Sequence, residues 1–302
     1  MKLTQEPFLV NRAVSERESL PLVRCVNRGA PSSLAFTLIE LLVVIAIVVV
    51  VAVLLVPAQS RTKAKTGQIE CVNNLRQVIQ AELNWVHDNP KNSFHWRVPV
   101  AAGGIGPDPV TYAAYDAGGA NTWYQWGFLG GITPQSKGVY LADPKVLVCP
   151  ADMLQPVRKV ASDWWTGDTG LLNAGNRNNA VSYWVGTDAG EDDFVTHPKP
   201  PGYSASWMVM PIEKCLTQAI AGDRNINYNG AKSSCSAGPP SVWTLYWMTF
   251  AGNPTIGWTN AIHGMKGNIA VGDGHVAQVN QSGFTNIMQI GDDNGSIHIL
   301  AP

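Results

Sequence analysis

The residues best suited to chemistry lie near the C-terminal end of the chain, where two histidines flank an Asp-Gly pair. His263, Asp273 and His275 are residue types that bind zinc or iron. The surrounding sequence, however, predicts a strand, a turn at Asp273-Gly274 and a second strand. Residues on either side of a turn do not share one face of a strand, so the pattern favours a structural hairpin over a metal site.

A second acidic cluster follows at Asp292-Asp293, where the carboxylates offer hard oxygen ligands for a cation. The segment lacks the spacing and the closing glutamate of an EF-hand, which favours a plain turn. The chain contains no GxSxG, HExxH or P-loop motif. The sequence therefore predicts a protein that is not an enzyme.

Composition limits the class of partner. The 302 residues include 21 basic and 22 acidic side chains, a net charge of -1 that argues against binding to nucleic acid. Only 14% of the residues are charged, beside 29 Gly, 20 Pro and 11 Trp. These values are typical of a loop-rich, aromatic domain rather than of a helical bundle. The tryptophans fit either a buried core or a surface that binds a partner.

The five cysteines contain no CxxC pair, which argues against a zinc ribbon or a thioredoxin-type site. Without residues 1–35 four remain, an even number that suits one or two disulfides outside the cytoplasm. Four cysteines allow three connectivities, and buried thiols are the alternative. The four are Cys71, Cys149, Cys215 and Cys235.

The apolar run 36–56 spans 21 positions, about 30 Å as a helix, which matches the core of a bilayer. A small-residue junction precedes the run instead of following it, so the run is expected to be retained. Glu40 is the anomaly, since a carboxylate inside a bilayer costs about 2.5–3.5 kcal/mol. It could reach water at the interface, or pair with the α-amino group of a chain that begins at Phe36.

The stretch from Ala35 to Ile47, AFTLIELLVVIAI, resembles the prepilin-type cleavage and methylation motif of type IV pilins and type II secretion pseudopilins. The resemblance implies that prepilin peptidase cuts between Ala35 and Phe36 and methylates the new terminus. It also implies that Glu40 neutralises the Phe36 amine of a neighbouring subunit during assembly. Two features depart from the motif: Ala35 stands where the family usually has Gly, and the leader is 35 residues long.

His263 and Asp273-Gly274, with nine residues between them, resemble the H-x9-DG signature of a large class of bacterial pseudopilin-like proteins. Fragments 71–77, 148–152 and 221–225 are similar to the same class. Both Cys71 and Cys149 lie in these fragments, so the resemblance points to a bridge between them, with Cys215 and Cys235 as the second pair. Some pseudopilins bind calcium in C-terminal loops, which makes calcium the cation implied for this region.

The sequence predicts an α+β, pilin-like fold. A long N-terminal helix, with a membrane half and an amphipathic half, would carry a loop-rich globular head built on a small antiparallel β-sheet. Pro57 is expected to kink the helix. Strands are expected at 139–148, 181–185, 218–221 and 268–271. The predicted parts are a leader (1–35), a transmembrane and assembly helix (36–57), its amphipathic continuation (58–89) and a β-rich head (90–302).

Together these features predict a structural subunit of a type IV pilus-like filament or a type II secretion pseudopilus. Its expected partners are prepilin peptidase, other pilin or pseudopilin subunits, the inner membrane and the assembly machinery. The expected location is the bacterial inner membrane, crossed once, with the head in the periplasm or, after assembly, on a surface filament. The alternative is a membrane-anchored periplasmic binding or enzymatic domain with an uncleaved signal anchor.

Overall fold

The structure is a computed structural model that describes residues 36–106, 121–152, 154, 158–190, 209–227, 245–249, 256–290 and 296–302. The chain divides into two units, Met1–Leu54 and Leu55–Pro302. Residues 1–35, with Ala35 and the expected leader, lie outside the described residues.

The first helix, α1, covers Leu38–Asp88. Thr37 is the residue before it, and the helix runs through Pro57; the predicted kink there stays a prediction. In the first unit every described residue from Phe36 to Val53 is exposed. In the second unit the side chains of Cys71, Leu75 and Val86 are fully buried. The helix ends at Asp88, directly before Asn89-Pro90.

No helix in the described parts of the chain has both the length and the apolar character needed to cross a bilayer. The prediction of a single-pass protein of the inner membrane with a periplasmic head is therefore wrong. The predicted fold class is wrong for the same reason, because it required a membrane half of the first helix. The prediction also described the β-sheet as small, whereas the main sheet has six strands. Some of these strands are far apart in the sequence, so no local pattern predicts their pairing.

The second unit adds two short helices, α2 (Thr122–Leu129) and α3 (Gln281–Ile290). Four 3-10 turns lie at Val100–Ala102, Pro144–Leu147, Arg177–Ala180 and Ile212–Lys214. The strands are β1 (Tyr183–Gly186), β2 (Ala219–Asp223), β3 (Ile226–Asn227), β4 (Leu245–Thr249), β5 (Gly257–Trp258), β6 (Gly267–Val271), β7 (Val276–Val279) and β8 (Ser296–Leu300).

Six of these strands form one antiparallel sheet in the order β4-β8-β1-β2-β6-β7, and β3 pairs with β5 in a second, two-stranded sheet. The last strand, β8, lies between β4 and β1 and pairs with both. The register places Tyr183 of β1 opposite Asp223 of β2, and Ile269 of β6 opposite Gly222. This register sets the positions of the polar residues described below.

Both faces of the central strands are buried. Along β1, Tyr183 and Val185 belong to the core cluster that contains Leu75 of α1. Trp184, which points to the opposite face, belongs to a second cluster with Phe284 of α3. Alternation along a strand sends successive side chains to opposite faces, so a strand covered on both sides is apolar throughout.

One expected strand is wrong. Residues 139–148 contain the 3-10 turn Pro144–Leu147 instead of a strand. Asp143 is the cause, because its carboxylate accepts a hydrogen bond from the Lys145 backbone N–H at 3.0 Å while Pro144 occupies the first position of the turn. The other three expected strands are confirmed as β1, β2 and β6, with shifts of one or two residues at their ends.

The Asp-Gly hairpin is also confirmed. Strands β6 and β7 pair in antiparallel register, and the Gly274 N–H donates to the Val271 carbonyl at 2.9 Å. Gly274 has a φ of 88°, a conformation that glycine adopts without strain. A side chain there would also meet Leu83 of α1, since an added Cβ would lie 2.9 Å from the Leu83 Cδ1 atom.

Candidate metal centre

A buried disulfide connects α1 to the segment that follows the Pro144–Leu147 turn. It joins Cys71 to Cys149, whose Cα atoms are 4.9 Å apart, and it closes a loop with a sequence separation of 78. Two further hydrogen bonds support the same junction. The Asn74 side chain donates to the Val148 carbonyl at 3.1 Å, and the Tyr183 hydroxyl donates to the Cys71 carbonyl at 3.4 Å.

His263 lies against this disulfide with a fully buried side chain. Its Nε2 atom is 3.6 Å from the Cys149 Sγ atom and 3.3 Å from the Asp223 Oδ2 atom. The Asn268 side-chain nitrogen approaches the same Nε2 atom at 3.4 Å. One ring nitrogen of His263 is therefore directed at a sulfur, a carboxylate and an amide at once.

The group formed by Cys71, Cys149 and His263 could hold a metal ion. Its potential ligand atoms, two Sγ atoms and an imidazole nitrogen, all lie within 4.8 Å of one another and all three residues are buried. Thiolate and imidazole ligands suit zinc and similar ions, whereas calcium prefers oxygen. In the disulfide form both sulfurs are bonded to each other, so this donor set becomes complete only when the bridge is reduced.

Asp223 is the buried carboxylate of this centre. It lies on β2 and accepts a hydrogen bond from the Asn268 backbone N–H at 2.8 Å. Burial raises the pKa of the Asp223 carboxyl, and the charge of Asp152 raises it further, while the neighbouring His263 and the Asn268 N–H oppose the rise. Burial likewise raises the pKa of Tyr183 well above its ordinary value, so its phenol stays neutral.

The raised pKa of Asp223 predicts a pH dependence of stability. The folded chain binds this proton more tightly than the unfolded chain, so the group's contribution to the free energy of unfolding is fully present below about pH 3.9. It is lost as the pH rises through the folded pKa. We expect the unfolding free energy of the wild-type chain, minus that of Asp223→Asn, to fall as the pH rises above about 4. Urea unfolding at a series of pH values measures this difference.

Asp273→Asn is the matched control, because the pKa of Asp273 is shifted in the opposite direction to that of Asp223. Slight burial raises the pKa of Asp273, but hydrogen bonds from the backbone and ring of His275, together with its charge, outweigh that effect and lower the pKa. Its contribution is therefore present above the ordinary carboxyl pKa and is lost as the pH falls through the folded pKa. A wild-type minus Asp223→Asn difference that rises with pH would contradict the assignment of Asp223.

A buried ion pair lies beside the disulfide centre. Arg224, next to Asp223 on the chain, binds Asp152 with two nitrogens, and its Nη2 atom is 2.8 Å from Oδ1. The Ser182 hydroxyl donates to Asp152 at 2.7 Å, and the Arg158 Nε atom lies 3.7 Å from the same carboxylate. Arg224 also donates to the Leu154 carbonyl at 2.8 Å. These bonds satisfy a carboxylate that has no access to water.

The structure separates the residues that the C-terminal sequence grouped together. His263 joins the cysteines, whereas Asp273 and His275 pair with each other at the hairpin turn, with 2.7 Å between Oδ1 and Nδ1. Both of these side chains are about half exposed. They do not belong to the candidate metal group found among the described residues. Asp292 and Asp293 lie outside the described residues.

Only one cysteine of the predicted Cys215–Cys235 disulfide lies among the described residues. Cys215 is buried, and its Sγ atom donates to the Pro211 carbonyl at 3.5 Å. Cys235, the partner expected for it, lies outside the described residues. The second disulfide therefore stays a prediction.

Sequence reasoning missed Asp152, Asp223 and Arg224 as members of the centre. All three lie inside fragments 148–152 and 221–225, which the resemblance had already marked. The signal that could have found them is a charged residue at the end of an apolar strand or within three residues of a cysteine. Their convergence depends on the pairing of β1 with β2, which brings Ser182 and Tyr183 beside the end of β2.

A separate polar arrangement begins α1. The Thr37 hydroxyl accepts from the Glu40 N–H at 3.3 Å, while the Glu40 carboxylate accepts from the Thr37 N–H at 2.9 Å and from its hydroxyl at 2.8 Å. This reciprocal pattern is a capping box. The backbone and side-chain bonds from Thr37 lower the pKa of Glu40, so it stays ionised although its neighbours are apolar.

Comparison with protein-family models, with curated proteins and with solved structures found no match to this chain. The description of the candidate metal centre therefore rests on the structure of this chain, in which His263 and Asp223 lie beside the buried Cys71–Cys149 disulfide.

Proposed function

We propose that the chain is a structural subunit of a type IV pilus-like filament or a type II secretion pseudopilus. It is cut after Ala35 by prepilin peptidase and assembles with other subunits through the helical segment 36–57. The observation that carries the proposal is the Glu40 carboxylate, held in a capping box by Thr37 at the start of an exposed apolar helix.

The helical segment 36–53 exposes an apolar surface that would be stabilised by contact with another apolar surface. Leu38 is 80% exposed and Val53 is 66% exposed, and the large apolar residues between them are exposed as well. Contiguous apolar surface of this kind marks an interaction site. Copies of the same helix are the occupant that fits, because equivalent apolar stretches can pack side by side along their length.

A possible charge pair also favours a second copy of this chain as the partner of the exposed helix. Cleavage after Ala35 creates a positive α-amino group on Phe36, one residue before the helix cap. An ionised Glu40 on a neighbouring copy is its natural counter-ion in apolar surroundings, where an unpaired charge is costly. The role that the resemblance implies for Glu40 therefore agrees with the lowering of its pKa by Thr37, which favours the ionised carboxylate.

The capping box permits a test that separates the two roles of Glu40. Glutamine at this position keeps the cap but removes the charge, whereas Thr37→Val removes the cap hydroxyl and keeps the charge. If the charge drives assembly, Glu40→Gln should lower the yield of the sheared filament fraction about tenfold or more, because a charge-assisted bond contributes about 1.5–3 kcal/mol. Thr37→Val should retain most of the yield.

The chain level must be equal in the whole-cell extracts of all three strains. Wild-type assembly by Glu40→Gln, together with loss of assembly by Thr37→Val, would show that Glu40 acts only as a cap. That result would remove the central support for the proposal.

A further inference from the structure

We propose that the chain with Cys71 and Cys149 reduced binds one zinc-type divalent cation, and that disulfide formation releases it. The ligands would be the two thiolates and the Nε2 atom of His263. The Asp223 carboxylate, which lies beside His263, would supply negative charge next to the ion. This inference does not depend on the proposed filament function, and it assigns a second state to the centre described above.

The distances around His263 match a tetrahedral ion. A Zn–S bond of about 2.3 Å and a Zn–N bond of about 2.0–2.1 Å place sulfur and nitrogen about 3.6 Å apart at the tetrahedral angle. The Cys149 Sγ to His263 Nε2 distance is 3.6 Å. The Asp223 Oδ2 atom lies 3.3 Å from the same nitrogen, so a carboxylate lies next to the three potential ligand atoms.

Binding of the ion requires the two sulfurs to move apart. Bonded sulfurs are about 2.0 Å apart, whereas two thiolates on one zinc ion are about 3.8 Å apart, so they must separate by about 1.8 Å. The Asp223 side chain has an unused acceptor, since its Oδ1 atom has no hydrogen-bond partner within the described parts of the chain. A buried carboxylate that is only half satisfied is costly on its own and suits a cation nearby.

The chemistry balances with a dithiol as reductant. Two electrons and two protons pass from the dithiol to the Cys71–Cys149 bridge, which gives two thiols, and the reductant becomes a disulfide. The cation then displaces both thiol protons and keeps its own charge. When an external disulfide accepts the two electrons, the thiolates rejoin and lose the cation.

Both states cross-link the same parts of the chain. In one the bond is covalent, and in the other the ion connects α1, the segment after the Pro144–Leu147 turn and the segment that carries His263. Zinc would therefore hold this junction before the cysteines are oxidised. The oxidised chain would no longer need it.

Cobalt absorption spectroscopy tests the proposal on the full chain. A background with Cys25→Ser, Cys215→Ser and Cys235→Ser leaves only Cys71 and Cys149 as thiol ligands. After reduction and removal of the reductant, Co²⁺ should give thiolate-to-metal charge-transfer and tetrahedral d–d bands at one ion per chain, and Zn²⁺ should abolish them. His263→Ala should weaken binding at least about tenfold, whereas His275→Ala should leave it unchanged.

Thermal unfolding covers the case in which the reduced chain is unstable. Zn²⁺ should raise the Tm of the reduced chain, or restore its fold if it is unfolded without the ion, and should leave the oxidised chain unchanged. The proposal is overturned if the reduced chain gives no charge-transfer band. It is equally overturned if the oxidised chain binds as tightly, or if His263→Ala binds like its parent.

Discussion

Removal of the Cys71–Cys149 bridge is expected to lower the free energy of unfolding by about 4.5 kcal/mol. The estimate follows from the loop it closes, with a sequence separation of 78, because the cross-link restricts the unfolded chain in proportion to the logarithm of the loop length. The double variant Cys71→Ala, Cys149→Ala should show a lower urea midpoint than the oxidised wild-type chain. Equilibrium unfolding by circular dichroism measures the shift.

Cys215→Ala is the matched control. This cysteine is also fully buried, but it does not belong to the bridge. Its replacement removes one sulfur atom from the core and should cost much less than the double variant. Equal losses for the two variants would show that packing, rather than the cross-link, dominates at Cys71 and Cys149.

Asp152→Ala is expected to cost about 3–5 kcal/mol, the usual effect of removing one partner of a buried ion pair. The carboxylate is fully buried, and it accepts from Arg224 and from the Ser182 hydroxyl at 2.7 Å. Its loss leaves the guanidinium group of Arg224 without its carboxylate in a site that excludes water. Urea unfolding at neutral pH gives the value.

A double-mutant cycle shows where this energy comes from. The double variant Asp152→Ala, Arg224→Met should lose less free energy of unfolding than the two single variants together. Arg224→Met removes the buried positive charge that Asp152→Ala leaves without its carboxylate. Lys145→Ala serves as the surface control. Its ion pair with Asp143 spans 4.0 Å between half-exposed side chains, so the change should cost about 1 kcal/mol or less. A similar small cost for Asp152→Ala would contradict the buried-pair assignment.

The local features of this chain could be predicted from its sequence. The Asp-Gly hairpin follows from a residue pair that tolerates positive φ, and β1, β2 and β6 follow from short apolar runs between turn residues. The segment 139–148 misled the prediction because an apolar run does not reveal that Asp143 and Pro144 start a 3-10 turn. The capping box was also readable from Thr37 and Glu40, but the membrane interpretation of the run obscured it.

The non-local features could not be predicted. His263 and Asp273 belong to the same sequence signature, but strand β6 lies between them and they have different partners. His263 packs against Cys149, which is 114 positions away. Strand β8 lies between β4 and β1, an order that periodicity does not encode. The expected membrane span depended on local features, namely the length of the apolar run and its flanks, whereas no described helix meets the requirements for crossing a bilayer.

The mass of the N-terminal peptide from the assembled chain tests the central claim most directly. If the chain is a processed filament subunit, the sheared filament fraction should contain a polypeptide that begins at Phe36 and carries one extra methyl group on its α-amine. A chain that retains residues 1–35, or begins at any other residue, would contradict the account.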